Sequence, residues 1–421
     1  MGFNRRTFMG VMAAGTAALS APVVLGQGRP RVVVIGGGCG GATVARYLAK
    51  DSNGAIDVTL IEPQRTYNTC FFGNLYLGGF WDYEKTGFGY GKLATDYGIN
   101  VVHEFAVGVD RDAKMVTTGS GATFGYDRLV VAPGIDFKDG SVPGWDLSAQ
   151  GVMPHAYKGG TQVQLLKAQV MAMPAGGVFA MVAPPNPYRC PPGPYERVSM
   201  VAHLLKQSNP TAKILVLDPK ESFSKQGLFE EAWDRHYAGM VTRIGPDMGG
   251  KAIEVRPATM EVVIDGDAEK VDACNVIPGM RAGNIAALAG LTNDAGWAPV
   301  DPATMASKAD AAVFVLGDAT QQGDMPKSGF SANSQAKVAA NVIRGELTGS
   351  RIFPAKYSNT CWSLLAPEDG VKVGASYEPT PEKIASVESF VSQKGEDAAL
   401  RKATYEESLG WYAGITADMF G

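Results

Sequence analysis

Arg31-Val-Val-Val-Ile35 runs directly into Gly36-Gly37-Gly38-Cys39-Gly40-Gly41, a β-branched strand signal feeding a G-x-G-x-x-G turn. Alone, that turn is a weak signal. Here residues 42–49 read as a helix, and Asp57-Val-Thr-Leu-Ile61 reads as a second strand ending on Glu62. An acidic residue about 20 positions past the glycines is where a ribose hydroxyl is held, with the pyrophosphate on the helix N-terminus. Gly36, Gly38, Gly41 and Glu62 are therefore expected to bind a dinucleotide.

Two later stretches say FAD. Tyr126-Asp-Arg-Leu-Val-Val-Ala-Pro133-Gly134 looks like the strand and tight turn that return from a flavin domain. Ala312-Val-Phe-Val-Leu-Gly317-Asp318 resembles the last flavin motif of such proteins, with Gly317 turning the chain and Asp318 approaching the ribityl or phosphate region. A helix over 330–344 would aim its positive N-terminal end at the reduced, anionic ring. The expected fold is α/β: a two-dinucleotide-binding-domain flavoprotein of glutathione-reductase-like architecture with a C-terminal interface domain. The flavin domain takes 28–140 and 276–345, an inserted α/β domain takes 141–275, and the interface domain takes 346–421.

The inserted domain departs from that plan. Residues 177–182 read as a strand, 195–205 as a helix and 213–218 as the next strand, so the loop between the first two should grip a second pyrophosphate. It reads Ala183-Pro-Pro-Asn-Pro-Tyr-Arg-Cys190-Pro-Pro-Gly-Pro-Tyr-Glu196, with six prolines and one glycine. Proline has no N–H to offer. A stiff, cysteine-bearing loop stands where a nicotinamide nucleotide would sit, so electrons should come from something other than NAD(P)H.

Composition narrows the remaining choices. The chain has 421 residues, 45% of them hydrophobic, with 52 glycines and a formal charge of −4. That length allows two or three domains with a well-buried core. The acidic balance argues against nucleic acid. Asn4-Arg5-Arg6-Thr7-Phe8-Met9, followed by an uncharged Ala/Gly-rich stretch, reads as a twin-arginine signal peptide over 1–27 and predicts the periplasm. Its removal would leave 36 basic against 42 acidic groups, a net charge near −6. No later stretch reads as a membrane span, so no integral membrane association is expected. Four histidines without ligand spacing predict no metal.

Five cysteines remain: Cys39, Cys70, Cys190, Cys274 and Cys361. Cys39, inside the glycine turn, and Cys274, just before an apolar Val276-Ile277 strand, read as packing residues. Cys70 lies eight residues past Glu62, where the chain runs back alongside the flavin; it is either a buried, inert thiol or the site of a thioether to the ring. Cys190 would face the flavin, and Cys361 opens the domain that closes the active site. Their spacing of 171 residues does not itself pair them, but in an oxidising compartment two such cysteines can form a disulfide, either a structural staple or a redox-active bridge. Glu196 falls at a helix start, where it either complements the dipole or serves a thiol as base.

Longer strings carry a specific resemblance. They are Thr69-Cys70, the Tyr188–Glu196 stretch, Met325-Pro-Lys-Ser-Gly-Phe-Ser-Ala-Asn-Ser-Gln335, Asn359-Thr-Cys361 and the terminal Trp411–Gly421 segment. Through them the chain resembles the flavoprotein subunit of flavocytochrome c sulfide dehydrogenase over nearly its whole mature length. The resemblance implies that Cys70 carries FAD as an 8α-cysteinyl thioether, that Cys190 and Cys361 form the redox disulfide, and that Glu196 lies beside it. It also puts Lys327 and Trp411 among the cofactor-binding residues. It implies sulfide as substrate and a separate c-type cytochrome subunit as electron acceptor. Cys39 departs from the family turn, which more often has a hydroxyl or another small residue there. Two rivals share parts of this reading: a sulfide:quinone oxidoreductase and a non-catalytic sulfur-carrier or electron-relay flavoprotein. The first needs an apolar docking surface, whereas 381–408 alternates acidic and basic groups.

Overall fold

Val32, Val33 and Val34 are buried on both faces, as a central parallel strand requires, and β-branched side chains suit that setting. The structure is a computed structural model that describes residues 28–421; the expected export signal, 1–27, lies outside the described residues. In chain order the first unit contains β1 (Arg31–Ile35), α1 (Cys39–Asp51), β2 (Asp57–Ile61), α2 (Gly73–Gly78), β3 (Asn100–Val102) and β4 (Arg128–Val131). β1 pairs in parallel with β2, Val34 opposite Leu60, and with β4, Val34 opposite Val130.

The β1–α1 turn needs its glycines. Gly36 has φ +96°, and a Cβ there would meet the Ala132 carbonyl oxygen at 2.4 Å. At Gly41 a Cβ would lie 1.7 Å from the Gly36 carbonyl oxygen, so only glycine lets the helix approach its strand. Cys39 is the first residue of α1 rather than part of the turn before it.

The second unit follows with β5 (Val178–Val182), α3 (Gly193–Ser208), β6 (Lys213–Leu217), α4 (Gln226–His236), β7 (Val241–Ile244) and β8 (Ala273–Val276). Its sheet is all parallel, in the order β7-β6-β5-β8. Cys274 lies within β8, opposite Ala180, rather than ahead of the strand. β8 therefore begins earlier than its valine and isoleucine suggest, because pairing with β5 extends it back to Ala273.

The chain then returns to the first sheet with β9 (Ala306–Ser307) and β10 (Asp310–Val315), giving the order β9-β10-β4-β1-β2-β3. α5 (Gly329–Thr348) follows, with the Ser328 hydroxyl capping it by accepting from the Ser331 N–H at 3.0 Å. Its small residues Ala332, Ala336 and Ala339 let it lie against α1, where Asn333 Nδ2 donates to Thr43 Oγ1 at 3.0 Å.

An antiparallel meander of β11 (Tyr357–Ala366), β12 (Asp369–Pro379) and β13 (Ile384–Val391) and the helix α6 (Ala398–Phe420) complete the chain. Asp397 caps α6 by accepting from the Leu400 N–H at 2.8 Å. The far end of α6 reaches back to α1: Tyr47 donates to Asp418 Oδ1 at 2.9 Å and Arg46 Nε to the Gly421 carbonyl at 2.6 Å. α6 thereby brings Trp411 to the wall shared by the first and last units.

Candidate functional site

The glycine turn and Glu62 form one end of the site. Glu62 Oε2 accepts from the Gly37 N–H at 2.7 Å, and Oε1 from the Gln64 N–H at 2.9 Å. The other end is a cavity walled by Cys70, Cys190 and Cys361, together with Glu196, Arg189, Trp411 and the start of α5 at Gly329 and Phe330. Three cysteines separated by 120 and 171 residues thus meet around one space. All five cysteines of the chain are free thiols here.

The loop that delivers Cys190 is held at several points. Its N–H donates to the Lys327 carbonyl at 2.7 Å, its carbonyl accepts from the Gly193 N–H at 2.8 Å, and Tyr157 Oη donates to the Arg189 carbonyl at 2.6 Å. Cys190 has φ +55°, a conformation that costs a non-glycine residue about 1–3 kcal/mol and is kept where surrounding structure demands it. A Cβ on Gly193 would sit 2.9 Å from Cys190 Sγ, so the loop's one glycine makes room for the thiol.

Cys361 is oriented from the opposite side. Asn359 Oδ1 accepts from Ser328 Oγ at 2.5 Å and from Ser331 Oγ at 3.2 Å, which turns the amide so that Nδ2 donates toward Cys361 Sγ at 3.4 Å. Glu196 bridges the two sides: Oε2 accepts from Asn74 Nδ2 at 2.8 Å and Oε1 from the Leu364 N–H at 2.9 Å. Burial pushes its carboxyl above the usual carboxylate range, against the pull of those donors. Burial pushes both thiols up, Cys190 well up and with the neighbouring Cys361 adding to it.

Asp318 and Arg189 face each other at 3.9 Å, too long for a hydrogen bond. Asp318 Oδ1 and Arg189 Nη2 are buried without a hydrogen-bond partner among the described residues. Such atoms call for a polar ligand, and a flavin dinucleotide spanning from the glycine turn to the cavity meets that demand. The glycine cradle, Glu62, Asp318 and Arg189 fit FAD. Lys327 is employed elsewhere: its ammonium donates to the Asp318 carbonyl at 2.9 Å and to the Thr320 carbonyl, and lies 3.7 Å over the Trp297 ring. It lines a second groove, behind the Cys190 loop, and not the cysteine cavity. Trp411 does line the cavity, packed between Phe71 and Trp362 at 5.2 Å from each.

The second unit has its own acidic strand end, Asp218, just past β6. It is buried and saturated: Tyr195 Oη donates at 2.7 Å, Lys220 Nζ at 2.7 Å and Arg243 Nε at 3.1 Å. Phe223 stacks on Tyr195 with ring centroids 3.4 Å apart. The chain's own side chains therefore occupy the groups that a second nucleotide ribose would need.

Sequence reasoning missed two cavity residues and a third that bonds to the Cys361 carbonyl. Arg189 stood in the quoted loop, but only its neighbour's sulfur was read. Asn74 had no signal beyond its nearness to Cys70. Lys225, whose Nζ donates to the Cys361 carbonyl at 3.0 Å and to Ser363 Oγ at 2.8 Å, had none. Among the described residues, no helix is long and apolar enough to cross a membrane and no acidic, histidine or cysteine cluster is placed to hold a metal ion.

Comparison with known proteins agrees with this geometry. Residues 163–278 match the family described as sulfide dehydrogenase [flavocytochrome c] flavoprotein chain, central. Residues 354–420 match flavocytochrome c sulphide dehydrogenase, flavin-binding, and 30–173 match pyridine nucleotide-disulphide oxidoreductase. The sulfide dehydrogenase [flavocytochrome c] flavoprotein chain of Chlorobaculum thiosulfatiphilum is 53% identical over 47 residues, which are 11% of this chain and 96% of that relative. The sulfide-quinone reductase of Aquifex aeolicus is 36% identical over 105 residues, 24% of each chain. Among solved structures, the sulfide:quinone oxidoreductase of Aquifex aeolicus superposes with a TM-score of 0.69 at 19% identity, covering 92% of both chains. An NAD-dependent persulfide reductase from A. fulgidus gives 0.62 at 17% identity, covering 89% of this chain and 77% of that one. These structural likenesses speak for the fold alone.

Proposed function

The chain belongs to the flavoprotein-chain family of flavocytochrome c sulfide dehydrogenase, and on that premise we propose that it oxidises sulfide in the periplasm through a Cys190–Cys361 disulfide and FAD held covalently on Cys70, passing electrons to a c-type cytochrome subunit. The observation that carries this reading is the meeting of Cys70, Cys190, Cys361 and Glu196 around one cavity.

Hydrosulfide opens the bridge: a new S–S bond forms on one cysteine as a persulfide, and the electron pair of the broken bond leaves on the other as a thiolate. Bound FAD supplies a two-electron acceptor that can also release electrons singly to a haem. Glu196, with its carboxyl pushed up by burial, holds or accepts a proton beside the sulfurs. The Cys190 loop and the Phe71–Trp411–Trp362 wall restrict water. A second sulfide attacks the outer persulfide sulfur and leaves with it as a disulfane anion, freeing that cysteine as a thiolate; re-forming the bridge between the two thiolates then gives up two electrons, which bound FAD would accept. The persulfide and its departure account for polysulfide or elemental sulfur as product.

A sulfide:quinone reading shares this chemistry and is favoured by the Aquifex aeolicus relative. Against it, the far end of α6 is tied to α1 and Lys337 through Tyr47, Arg46 and Asp418. Anaerobic sulfide titration of the flavin spectrum tests the proposal, with a c-type cytochrome and with a soluble quinone as alternative acceptors. Bleaching by stoichiometric sulfide and fast reoxidation by cytochrome are expected. Fast reoxidation by quinone alone would move the chain to the rival class, and no bleaching at all would make it a carrier or relay.

A further inference from the structure

Lys225 is a buried cation, 9% exposed, on the residue that precedes α4 with φ +63°. Its two partners, the Cys361 carbonyl and the Ser363 hydroxyl, are both neutral. Among the described residues it makes no salt bridge, whereas the other buried lysine of its unit, Lys220, has Asp218 at 2.7 Å. Glu196 acts on it from beyond ion-pair distance, so the ammonium is only partly compensated, and a thiolate forming at Cys361 would add to that compensation.

The surroundings of the two sulfurs are unequal. Cys361 Sγ receives the Asn359 amide at 3.4 Å and has Lys225 bonded to its own carbonyl. Cys190 has its N–H committed to the Lys327 carbonyl and no side-chain donor on its sulfur among the described residues, while the Glu196 carboxylate opposes a thiolate at either cysteine. At Cys361, burial raises the thiol but Asn359, Lys225 and Ser328 pull it back; at Cys190, burial and Cys361 raise it, and the cations Arg189, Arg197 and Lys225 act on it without a hydrogen bond to its sulfur. The groups facing Cys361 that titrate or carry charge are Lys225, Glu196, Cys190 and Tyr377.

We propose that Lys225 is a positioning residue for opening the bridge: its ammonium holds the negative charge at Cys361, so incoming sulfide is directed to the Cys190 sulfur. The proposal rests on the disulfide reading above. In the step, a lone pair of HS⁻ forms a bond to Cys190 Sγ, the Cys190–Cys361 bond breaks, and its electron pair becomes the Cys361 thiolate. The product is a Cys190 persulfide, whose proton Glu196 can take. Exchange favours departure of the sulfur with the lower thiol pKa.

The test uses the flavin-loaded protein. Peptide mapping of the oxidised protein comes first, and absence of a cross-linked Cys190–Cys361 peptide defeats the disulfide reading itself. With the bridge present, the protein is reduced and both thiols are alkylated by iodoacetamide across pH, with sites mapped by mass spectrometry. Cys361 is expected to react at lower pH than Cys190. Lys225→Met should raise the pH midpoint of Cys361 alkylation by about 1, a tenfold loss of thiolate, and move Cys190 less, while Lys225→Arg restores it. Flavin reduction at saturating sulfide should slow about tenfold, with little change in the sulfide concentration for half-maximal rate. Lys225→Gln serves as a second variant if the methionine protein loses flavin. A cross-linked protein whose Cys361 profile ignores Lys225 substitution, or whose two thiols titrate alike, overturns the assignment and leaves the disulfide reading intact.

Discussion

Replacing Lys225 by methionine should stabilise the protein at neutral pH while slowing it. Burial lowers the Lys225 ammonium from its ordinary 10.5 to about 8. A tenfold weaker hold on a proton is worth about 1.4 kcal/mol, so keeping the ammonium charged in the folded state costs about 3 kcal/mol. Methionine removes that cost, fills similar space, and forfeits two hydrogen bonds of about 1 kcal/mol each. The net expectation at pH 7 is a gain of about 1 kcal/mol. The sign then depends on pH. Between about 8 and 10.5 the unfolded chain binds more protons than the folded one, so the parent's stability rises through that window. The penalty is fully present below about 8 and absent above 10.5, where the neutral amine keeps its hydrogen bonds and the parent becomes the more stable by about 2 kcal/mol. Urea midpoints of the two reduced, flavin-loaded proteins at several pH values from about 7 to 10.5 measure the crossing. A variant that is less stable at pH 7, or a difference that stays constant with pH, would refute the claim that this lysine is a buried charge without an ion-pair partner.

Flavin should remain with the polypeptide after acid precipitation, because a thioether survives unfolding, and should be released from Cys70→Ser protein; flavin retained by that variant would falsify the attachment site. Cys190→Ser and Cys361→Ser should each abolish sulfide-dependent cytochrome reduction while keeping bound FAD, with a stability loss of about 2–5 kcal/mol from the missing bridge. A flavin-loaded double variant with near-normal turnover would sink the disulfide mechanism. NADH should leave the flavin spectrum unchanged on the timescale of sulfide bleaching, and rapid bleaching by NADH would show that the plugged Asp218 cleft opens.

How far the sequence carries depends on how local each signal is. The Arg31–Gly41 turn could be read because its β-branched run, its glycines and Glu62 lie within about 30 residues and impose steric demands visible one residue at a time. Cys190 and Cys361 could be named because cysteine has few bland reasons to stand on a proline-rich loop or at a domain start. Lys225 could not. It is one lysine in Ser222-Phe-Ser-Lys225-Gln, and its burial comes from β11, 136 residues away. Lys327 misled for the reverse reason: it sits inside a telling string, yet its ammonium is consumed by the Asp318 and Thr320 carbonyls and the Trp297 face. A motif identifies a neighbourhood; side-chain direction within it is set by packing that the string does not contain.

The same strand-turn-helix-strand plan is used twice, and the two copies end in opposite ways. In the first, Glu62 takes two backbone N–H donors, Gly36 and Gly41 leave the turn bare of side chains, and Asp318 and Arg189 keep unmet hydrogen-bonding capacity nearby. In the second, prolines strip the turn of donors and Tyr195, Lys220 and Arg243 satisfy Asp218 completely. A nucleotide entering there would have to break three hydrogen bonds to a buried carboxylate and part the Tyr195–Phe223 stack, with no N–H cradle to offset the loss. The copy without a nucleotide cradle carries the loop that places a thiol against the first copy's cavity. On the proposed mechanism, reducing equivalents arrive as sulfur bonded directly to the protein, which is consistent with one unit keeping an open cofactor cradle while the other is closed by its own side chains.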